Sequence, residues 1–184
     1  MHTEKLQLAI VGLGPRGLSV AERLCANADS LVPQGRNVVI HIIDPHVFEG
    51  GQVWRSTQNR VLLMNTVACQ VTVCVDDTVD CDGPVVAGPS LYEWARSIAL
   101  VGRPNVPEVV RAEAVALGPD DYPSRAFYGS YLQWARRRIM RNAPPAVGFA
   151  LHQATAVDVR DTTDGLQEVV LNTGKTVGDL QAVV

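Results

Sequence analysis

The glycine triplet near the start of the chain constrains the fold more than any other feature. An apolar run over residues 6–11 meets Gly12, and Gly14 and Gly17 follow at the spacing Gly-x-Gly-x-x-Gly, ahead of a helical pattern. This order predicts a strand, a tight turn and a helix N-terminus. Gly12 permits the turn, Gly14 lets the backbone approach a pyrophosphate, and Gly17 lets the helix pack closely on the strand. The unpaired amides and partial positive charge of such a helix N-terminus favour phosphate binding.

A second apolar run, over residues 38–43, ends in an acid. This residue, Asp44, lies where dinucleotide-binding folds hold the ribose hydroxyls of adenosine. It lies farther beyond Gly17 than the roughly 20 residues of the usual spacing, and a loop over residues 26–37 accounts for the excess. We therefore predict a dinucleotide site. Any tight strand-to-helix turn, followed by a solvated acid at a strand end, is the structural alternative.

The composition is that of a soluble globular protein. The 184 residues are 47% hydrophobic and 19% charged, which is sufficient for one domain with a sizeable core. The net charge of −3 argues against bulk nucleic-acid binding, which usually requires a basic surface. Because no apolar run reaches the roughly 18 residues of a membrane span and no signal-peptide pattern is present, we expect a cytoplasmic protein. The four cysteines show no metal-ligand spacing, so neither a metal site nor a disulfide is predicted.

Three helices have clear sequence signals. The first is predicted over about 15–27, because its apolar residues recur at helical spacing. Ser90 and Glu93 form a capping box that begins the second helix. Ser124 is positioned to cap a third helix over about 125–141.

Other segments carry weaker signals. Residues 102–123 are rich in Pro, Gly and Asp, which predicts an irregular excursion with one short helical turn. Apolar alternation over 69–75 predicts a strand or an extended segment. A β-meander is predicted over 148–179, where polar turns separate three short antiparallel strands, and a final apolar run covers 180–184.

The stretch after the acid departs from a plain dinucleotide-binding fold. Residues 45–55 read Pro-His-Val-Phe-Glu-Gly-Gly-Gln-Val-Trp-Arg, where a simple doubly wound domain would continue as strand–helix units. Two adjacent glycines, Gly50 and Gly51, predict a backbone that approaches a ligand closely, and Trp54 supplies a flat apolar wall. An apolar run over 60–66 then ends in amide and hydroxyl groups.

At these residues the chain is similar to the flavin-dependent monooxygenases of the flavin-containing and Baeyer–Villiger types, although those proteins place the Trp closer to the second glycine. The combination of Gly-Leu-Gly-Pro-Arg-Gly, Asp-Pro, Gly-Gly-Gln-Val-Trp and Leu-Leu-Met-Asn-Thr resembles more closely the bacterial FAD/NAD(P)-binding proteins related to the lysine and ornithine N-hydroxylases. Residues 122–132 also resemble that group. The resemblance implies one α/β, Rossmann-like FAD-binding domain over 1–184, with a parallel sheet and the inserted meander.

The resemblance also implies which residues contact the cofactor. The glycine turn would hold the FAD pyrophosphate and the acid after the second strand the adenosine ribose. The Gly-Gly loop would line the pyrophosphate or ribityl chain, residues 64–66 would lie towards the isoalloxazine, and a backbone group near 157 would contact the adenine. The expected FAD contacts are Gly12, Gly14, Pro15, Arg16, Gly17, Asp44, Pro45, Gly51, Gln52, Trp54, Met64, Asn65, Thr66 and Val157. No residue is assigned a catalytic role.

In that family, a further turn after the last apolar run contacts FAD, and a second glycine motif serves NAD(P)H. Neither occurs in these 184 residues, so we expect the N-terminal part of a larger flavoprotein or half of a split one. The leading hypothesis is an FAD-dependent, NAD(P)H-using monooxygenase that acts on a small molecule. An NAD(P)-binding dehydrogenase or reductase, and a non-catalytic half that needs a partner chain, are the alternatives. An S-adenosylmethionine-dependent methyltransferase ranks last, because its glycine spacing is usually looser.

Overall fold

The computed structural model describes residues 5–33, 35–76, 78–81, 83–102 and 105–184, which form two sheets and five α-helices. The elements in chain order are β1 (Leu6–Val11), α1 (Pro15–Ala26), α2 (Ala28–Leu31), β2 (Val38–Ile43), a 3-10 turn (Ala68–Gln70), α3 (Leu91–Val101), α4 (Glu108–Ala116), α5 (Arg125–Arg141), β3 (Val147–His152), β4 (Ala156–Asp161), β5 (Gln167–Leu171), β6 (Thr176–Leu180) and β7 (Ala182–Val183). The α/β class predicted from the sequence is confirmed.

A parallel sheet forms the centre of the domain. Its strand order is β3-β2-β1-β7, and β1 pairs with β2 in the register Ile10↔Ile42. Alternate residues of β2, including Ile40, are buried against α1 and α5 in the larger apolar core. Because strand side chains alternate between faces, the remaining residues of β2 point to the opposite side of the sheet.

The antiparallel sheet has the order β4-β5-β6 and packs on that opposite side. A second apolar cluster joins Ala9 and Ile43 of the parallel sheet to Val169, Val177 and Leu180 of the meander. This cluster places the meander over the ends of β1 and β2 where both strands finish. The cluster therefore fixes the two sheets to each other beside the glycine turn.

The meander is shorter than the sequence predicts. Residues 147–152 form β3, which extends the parallel sheet in the register Val38↔Val147, so the antiparallel strands begin only at Ala156. The final apolar run is also divided, since Leu180 ends β6 whereas residues 182–183 pair with β1. The apolar sequence of β3 is compatible with a strand in either the parallel sheet or the meander. Its pairing with β2, which is distant in the sequence, determines that it belongs to the parallel sheet.

The helix signals have mixed outcomes. The capping box confirms the start of α3, and the Ser124 Oγ accepts a hydrogen bond from the Phe127 amide at 3.1 Å, which confirms the start of α5. The expectation of an irregular segment over 102–123 is wrong, because α4 occupies nine of its residues. Val110 and Ala114, one turn apart, are buried in the core and stabilise this helix despite the surrounding prolines.

Of the two forms predicted for residues 69–75, a strand or an extended segment, the extended segment is found after the 3-10 turn and the strand is not. Its amides find partners outside any sheet: the Val73 amide donates to the Tyr131 hydroxyl at 3.2 Å, and the Cys74 amide donates to Thr72 Oγ1 at 3.1 Å. These bonds fix an extended loop on α5 after the short 3-10 turn. Within the described ranges, no helix is long and apolar enough to cross a bilayer.

Two histidines form a hydrogen-bonded pair across the parallel sheet. His41 Nδ1 lies 2.9 Å from His152 Nε2, and His41 Nε2 lies 3.0 Å from Gln7 Oε1. Burial lowers the pKa of both imidazoles, as does the charge of His152 for His41 and that of Lys175 for His152. The pair therefore favours neutral rings that share one hydrogen bond.

We expect the free energy of unfolding to fall as the pH drops below about 6.5, the pKa of an unfolded histidine. Because the folded pKa values are lower, the unfolded chain binds more protons in that range. His152→Gln removes one titrating ring and should make the decrease shallower. Urea unfolding between pH 5 and 7.5 measures both slopes (roughly the range where histidine titrates). His46→Gln, outside the pair, is the control, and equal slopes for wild type and His152→Gln would contradict the prediction.

Candidate functional site

The strand–turn–helix at the end of β1 is held by close backbone packing. Gly12 has φ +95°, a conformation that L side chains rarely adopt, and its amide donates to the Ile43 carbonyl at 2.9 Å. A side chain at position 17 would overlap the carbonyl oxygen of Gly12. Gly17 is therefore required for the contact between helix and strand, as the sequence predicts.

The space in front of α1 is open. A Cβ on Gly14 would meet no atom within 4 Å, and the backbone there has an ordinary negative φ. Gly14 caps the helix without a side-chain hydrogen bond, Pro15 begins the helix, and the Arg16 side chain is exposed. The first-turn amides therefore remain available to an anion, and the space beside Gly14 suits a pyrophosphate.

Asp44 has a structural role that the sequence does not reveal. Only 5% exposed, it accepts the Leu13 amide on Oδ2 at 2.7 Å and the His46 amide on Oδ1 at 2.6 Å. The carboxylate thereby joins the end of β2 to the glycine turn, and the exposed Pro45 lies between the bonded residues. The predicted contact between Asp44 and the ribose stays a prediction.

The tandem glycines bring their loop onto the glycine turn. Gly51 has φ +80°, and a Cβ on it would lie 3.1 Å from the Gly14 nitrogen. Gly50 forms a bridge with Trp54 and leaves no room for a side chain beside the Trp54 carbonyl. The structure therefore brings residues 50–54 together with the glycine turn, with Gln52 exposed. The close contacts that these two glycines permit are with protein backbone: Gly50 contacts the Trp54 carbonyl and Gly51 contacts Gly14.

The Trp54 side chain packs against residues of α5, so its ring is not a free apolar surface. Its ring meets Tyr128 edge-on at 5.0 Å between centroids, and the Arg125 guanidinium lies 5.6 Å from its centroid. Gly129 leaves space for the Trp54 carbonyl. Sequence reasoning assigned no role to Arg125 or Gly129, although both fall within the 122–132 stretch that carried part of the resemblance.

Residues 62–66 form a short extended connection beside the start of α5. The Met64 amide donates to the Pro123 carbonyl at 2.9 Å, and the Arg125 amide donates to the Leu62 carbonyl at 2.7 Å. Met64 is buried, Thr66 is half-buried and Asn65 is exposed. These residues lie together, and their predicted position against the isoalloxazine stays a prediction.

A polar network fixes the start of α5. The Glu113 carboxylate accepts the Ser124 amide at 2.7 Å and the Ser124 hydroxyl at 2.9 Å, and it also pairs with Arg60. These three side chains join α4, α5 and the loop after the tandem glycines. The sequence signal for this network was limited to the Ser124 cap.

Val157 lies apart from the glycine turn, on the meander. It is 59% exposed on β4. The preceding strand, β3, ends at His152, whose carbonyl accepts the Asp44 amide at 3.1 Å. The end of β3 therefore lies beside Asp44, and the chain continues from there into β4, which carries Val157. The predicted adenine contact stays a prediction. Among the described residues, no group of three or more His, Cys, Asp or Glu could hold a metal ion.

Comparisons with known proteins agree with this geometry. A family described as FAD-NAD(P)-binding matches residues 9–184. The chain is 46% identical over 182 residues to nitrosuccinic acid synthase npaA of Aspergillus oryzae, and 44% identical over 192 residues to an L-aspartate N-monooxygenase (nitrosuccinate-forming) of Streptomyces davaonensis. These alignments cover 99% and 100% of the chain but only 26% and 29% of the relatives. The chain thus spans less than a third of the length of these relatives.

A solved structure supports the fold. The lysine monooxygenase NbtG of Nocardia farcinica superposes with a TM-score of 0.54 at 17% identity, covering 95% of this chain and 39% of that one. At this identity the likeness concerns the fold alone. The Rossmann-type architecture is thereby confirmed, and the family match confirms FAD as the expected cofactor.

Two glycines of the turn should respond differently to substitution. Gly17→Ala forces the helix away from the Gly12 carbonyl and should destabilise the ligand-free chain by about 3 kcal/mol. Gly14→Val projects into open space, so it should change the free energy of unfolding by less than about 0.5 kcal/mol while abolishing FAD retention. Thermal unfolding and the flavin absorbance that remains after desalting measure both effects. Equal destabilisation by the two substitutions would contradict this account.

The backbone role of Asp44 predicts an effect before any cofactor is added. Asp44→Ala leaves the Leu13 and His46 amides without their acceptor, so the ligand-free chain should lose roughly 2–4 kcal/mol of unfolding free energy. Urea unfolding of the cofactor-free chain measures this loss, with Asp80→Ala, a change of an exposed acid, as the control. If Asp44 served the ribose alone, the two variants would be equally stable.

Proposed function

Since the chain belongs to the FAD-NAD(P)-binding family, we propose that it is the FAD-binding part of an NAD(P)H-dependent flavin monooxygenase. We further propose that the whole protein oxidises the amino nitrogen of a small amino acid of the L-aspartate class. The observation that carries the first proposal is the uncapped N-terminus of α1, which faces open space beside Gly14. The identity with nitrosuccinate-forming enzymes over 99–100% of the chain supports the substrate class.

The residues present fit the pyrophosphate of FAD. The amides of the first turn of α1 would hold the phosphate oxygens, because Gly14 supplies no side chain there and Pro15 supplies no competing N–H. Asp44 fixes the turn through the Leu13 amide, and Gly51 sets the neighbouring loop against it. This preorganised backbone binds a flat, charged cofactor without reorganisation of the turn.

FAD, when bound, supplies the redox chemistry of oxygen transfer. The chain's own contribution is to bind and orient the cofactor. The exposed Asn65 and the half-buried Thr66 offer polar groups at the edge where we place the isoalloxazine. The substrate pocket, the NAD(P)H site and any partner chain belong to the proposal for the whole protein, because the chain covers less than a third of the relatives' length.

A chimaeric enzyme tests the proposal. This chain replaces the matching segment of the Aspergillus oryzae nitrosuccinic acid synthase, and the product is assayed for bound flavin and for NAD(P)H oxidation with L-aspartate, L-lysine or L-ornithine. We expect a yellow protein whose NAD(P)H oxidation is stimulated by L-aspartate alone. The same chimaera carrying Gly14→Val should be colourless and inactive.

Each contrary result overturns a different part of the proposal. Bound flavin with stimulation by another amino acid, or by none of the three, would contradict the L-aspartate class. A colourless chimaera would contradict the assignment of FAD to the glycine turn. Thermal stabilisation of the isolated chain by NAD(P)H but not by FAD would favour the dehydrogenase or reductase alternative.

A further inference from the structure

A cavity of about 280 Å³ lies among α3, α4 and α5, outside the predicted FAD contacts. We call it the arginine cavity. Its polar and aromatic wall residues include Ser56, Arg60, Trp94, Gln133, Trp134 and Arg137. No Asp or Glu lines it among the residues that the structure describes. A cavity with basic and hydrogen-bonding walls but no acid favours an anionic occupant.

One buried donor in the wall lacks a partner. Trp94 is only 3% exposed, and its ring packs on Phe127 and Tyr131 with centroids 5.3 and 5.6 Å away. Its indole N–H has no hydrogen-bond acceptor within the described part of the chain. Its nitrogen is covered by protein atoms, so the N–H lies behind the cavity surface and the indole contributes only its ring to the wall.

A serine hydroxyl provides a hydrogen-bond donor for the cavity. Gln133 Nε2 donates to the Ser56 Oγ at 2.8 Å, so the Ser56 proton is directed elsewhere. No acceptor for that proton is found among the described residues. The Ser56 hydroxyl is therefore oriented to donate, in contrast to the nearby Ser130, whose proton is used by the Ala126 carbonyl at 3.1 Å.

The two arginines of the wall differ in their charge balance. Arg60 is paired with Glu113, so its charge is largely neutralised. Arg137 is exposed and forms no ion pair in the described residues. Burial, and then the Arg137 charge, lower the pKa of the adjacent Arg136. Arg137 thus carries a positive charge without an ion-pair partner in the described part of the chain.

We propose that the arginine cavity binds a small oxyanion, either a carboxylate or a phosphate group, with Arg137 supplying the charge, the Ser56 O–H donating a hydrogen bond and the Trp94 ring forming an apolar wall. The cavity could hold several waters, each of which occupies about 30 Å³ in the liquid, so a small diacid fits. Ser56 lies two residues beyond Trp54, and a bound anion would hold this loop against α5. The inference is independent of the proposed reaction.

Tryptophan fluorescence provides a direct test, because two of the three tryptophans, Trp94 and Trp134, line the cavity. The 184-residue chain is titrated with succinate or inorganic phosphate at constant ionic strength, balanced with chloride. We expect a saturable change with at least one of them. Arg137→Gln should weaken that binding by about tenfold, as for a charged hydrogen-bonding partner. Arg141→Gln removes the same charge from an exposed position on α5 and should leave binding unchanged.

A second variant examines the hydroxyl donor. Ser56→Ala removes the O–H, so it should weaken anion binding, while Trp94 and Trp134 both remain as reporters in the cavity. Circular dichroism confirms that each variant is folded. A response to succinate alone assigns a carboxylate, and a response to phosphate alone assigns a phosphate. No saturable response up to roughly 50 mM, well above a millimolar affinity, or equal binding by Arg137→Gln and Arg141→Gln, would overturn the proposal.

Discussion

The carbonyl of Gly12 and the Cα of Gly17 lie so close that no side chain fits between them, and the rest of the candidate site depends on this contact. It sets the helix on the strand and so determines where the first-turn amides point. Two further backbone contacts build on it: the Asp44 carboxylate receives the Leu13 amide, and Gly51 packs against Gly14. The surface that we propose for phosphate binding is thus made almost wholly of main chain, which leaves few side chains to vary without loss of shape.

The long helix α5 supports the loops that lie beside this surface. Tyr131, Phe127 and Leu132 are fully buried, and each contributes about 1.5–3 kcal/mol through the burial of apolar surface. Gly129 admits the main chain of Trp54, and the Ser124 cap is held by Glu113 of α4. Residues that never approach the glycine turn therefore determine the position of the loop over 54–66. The core and the site share one scaffold.

The parts of the fold that the sequence predicts well are those encoded locally. Gly17 lies close in the sequence to Gly12, the residue that it contacts, and the Ser90–Glu93 capping box spans four residues. Both features can therefore be recognised from the sequence. The failures involve distant partners. Val147 belongs to the parallel sheet because it pairs with Val38. The Val73 amide forms no strand hydrogen bond because it donates to the Tyr131 hydroxyl. Neither partner is visible in a short window of sequence.

The short strand β7 has a consequence for how the domain assembles. Ala182 and Val183 pair with Leu8 and Ala9, so β1 and one of its neighbours are separated by 174 positions in the sequence. During synthesis, β1 leaves the ribosome before β7 and lacks this partner for roughly ten to thirty seconds at ordinary rates of translation. Its other neighbour, β2, follows early, but β3 arrives only after α5. Contacts of such long sequence separation slow folding, and an unpaired strand edge can pair with other chains, so the β1 edge is open to wrong pairing until β7 has been translated.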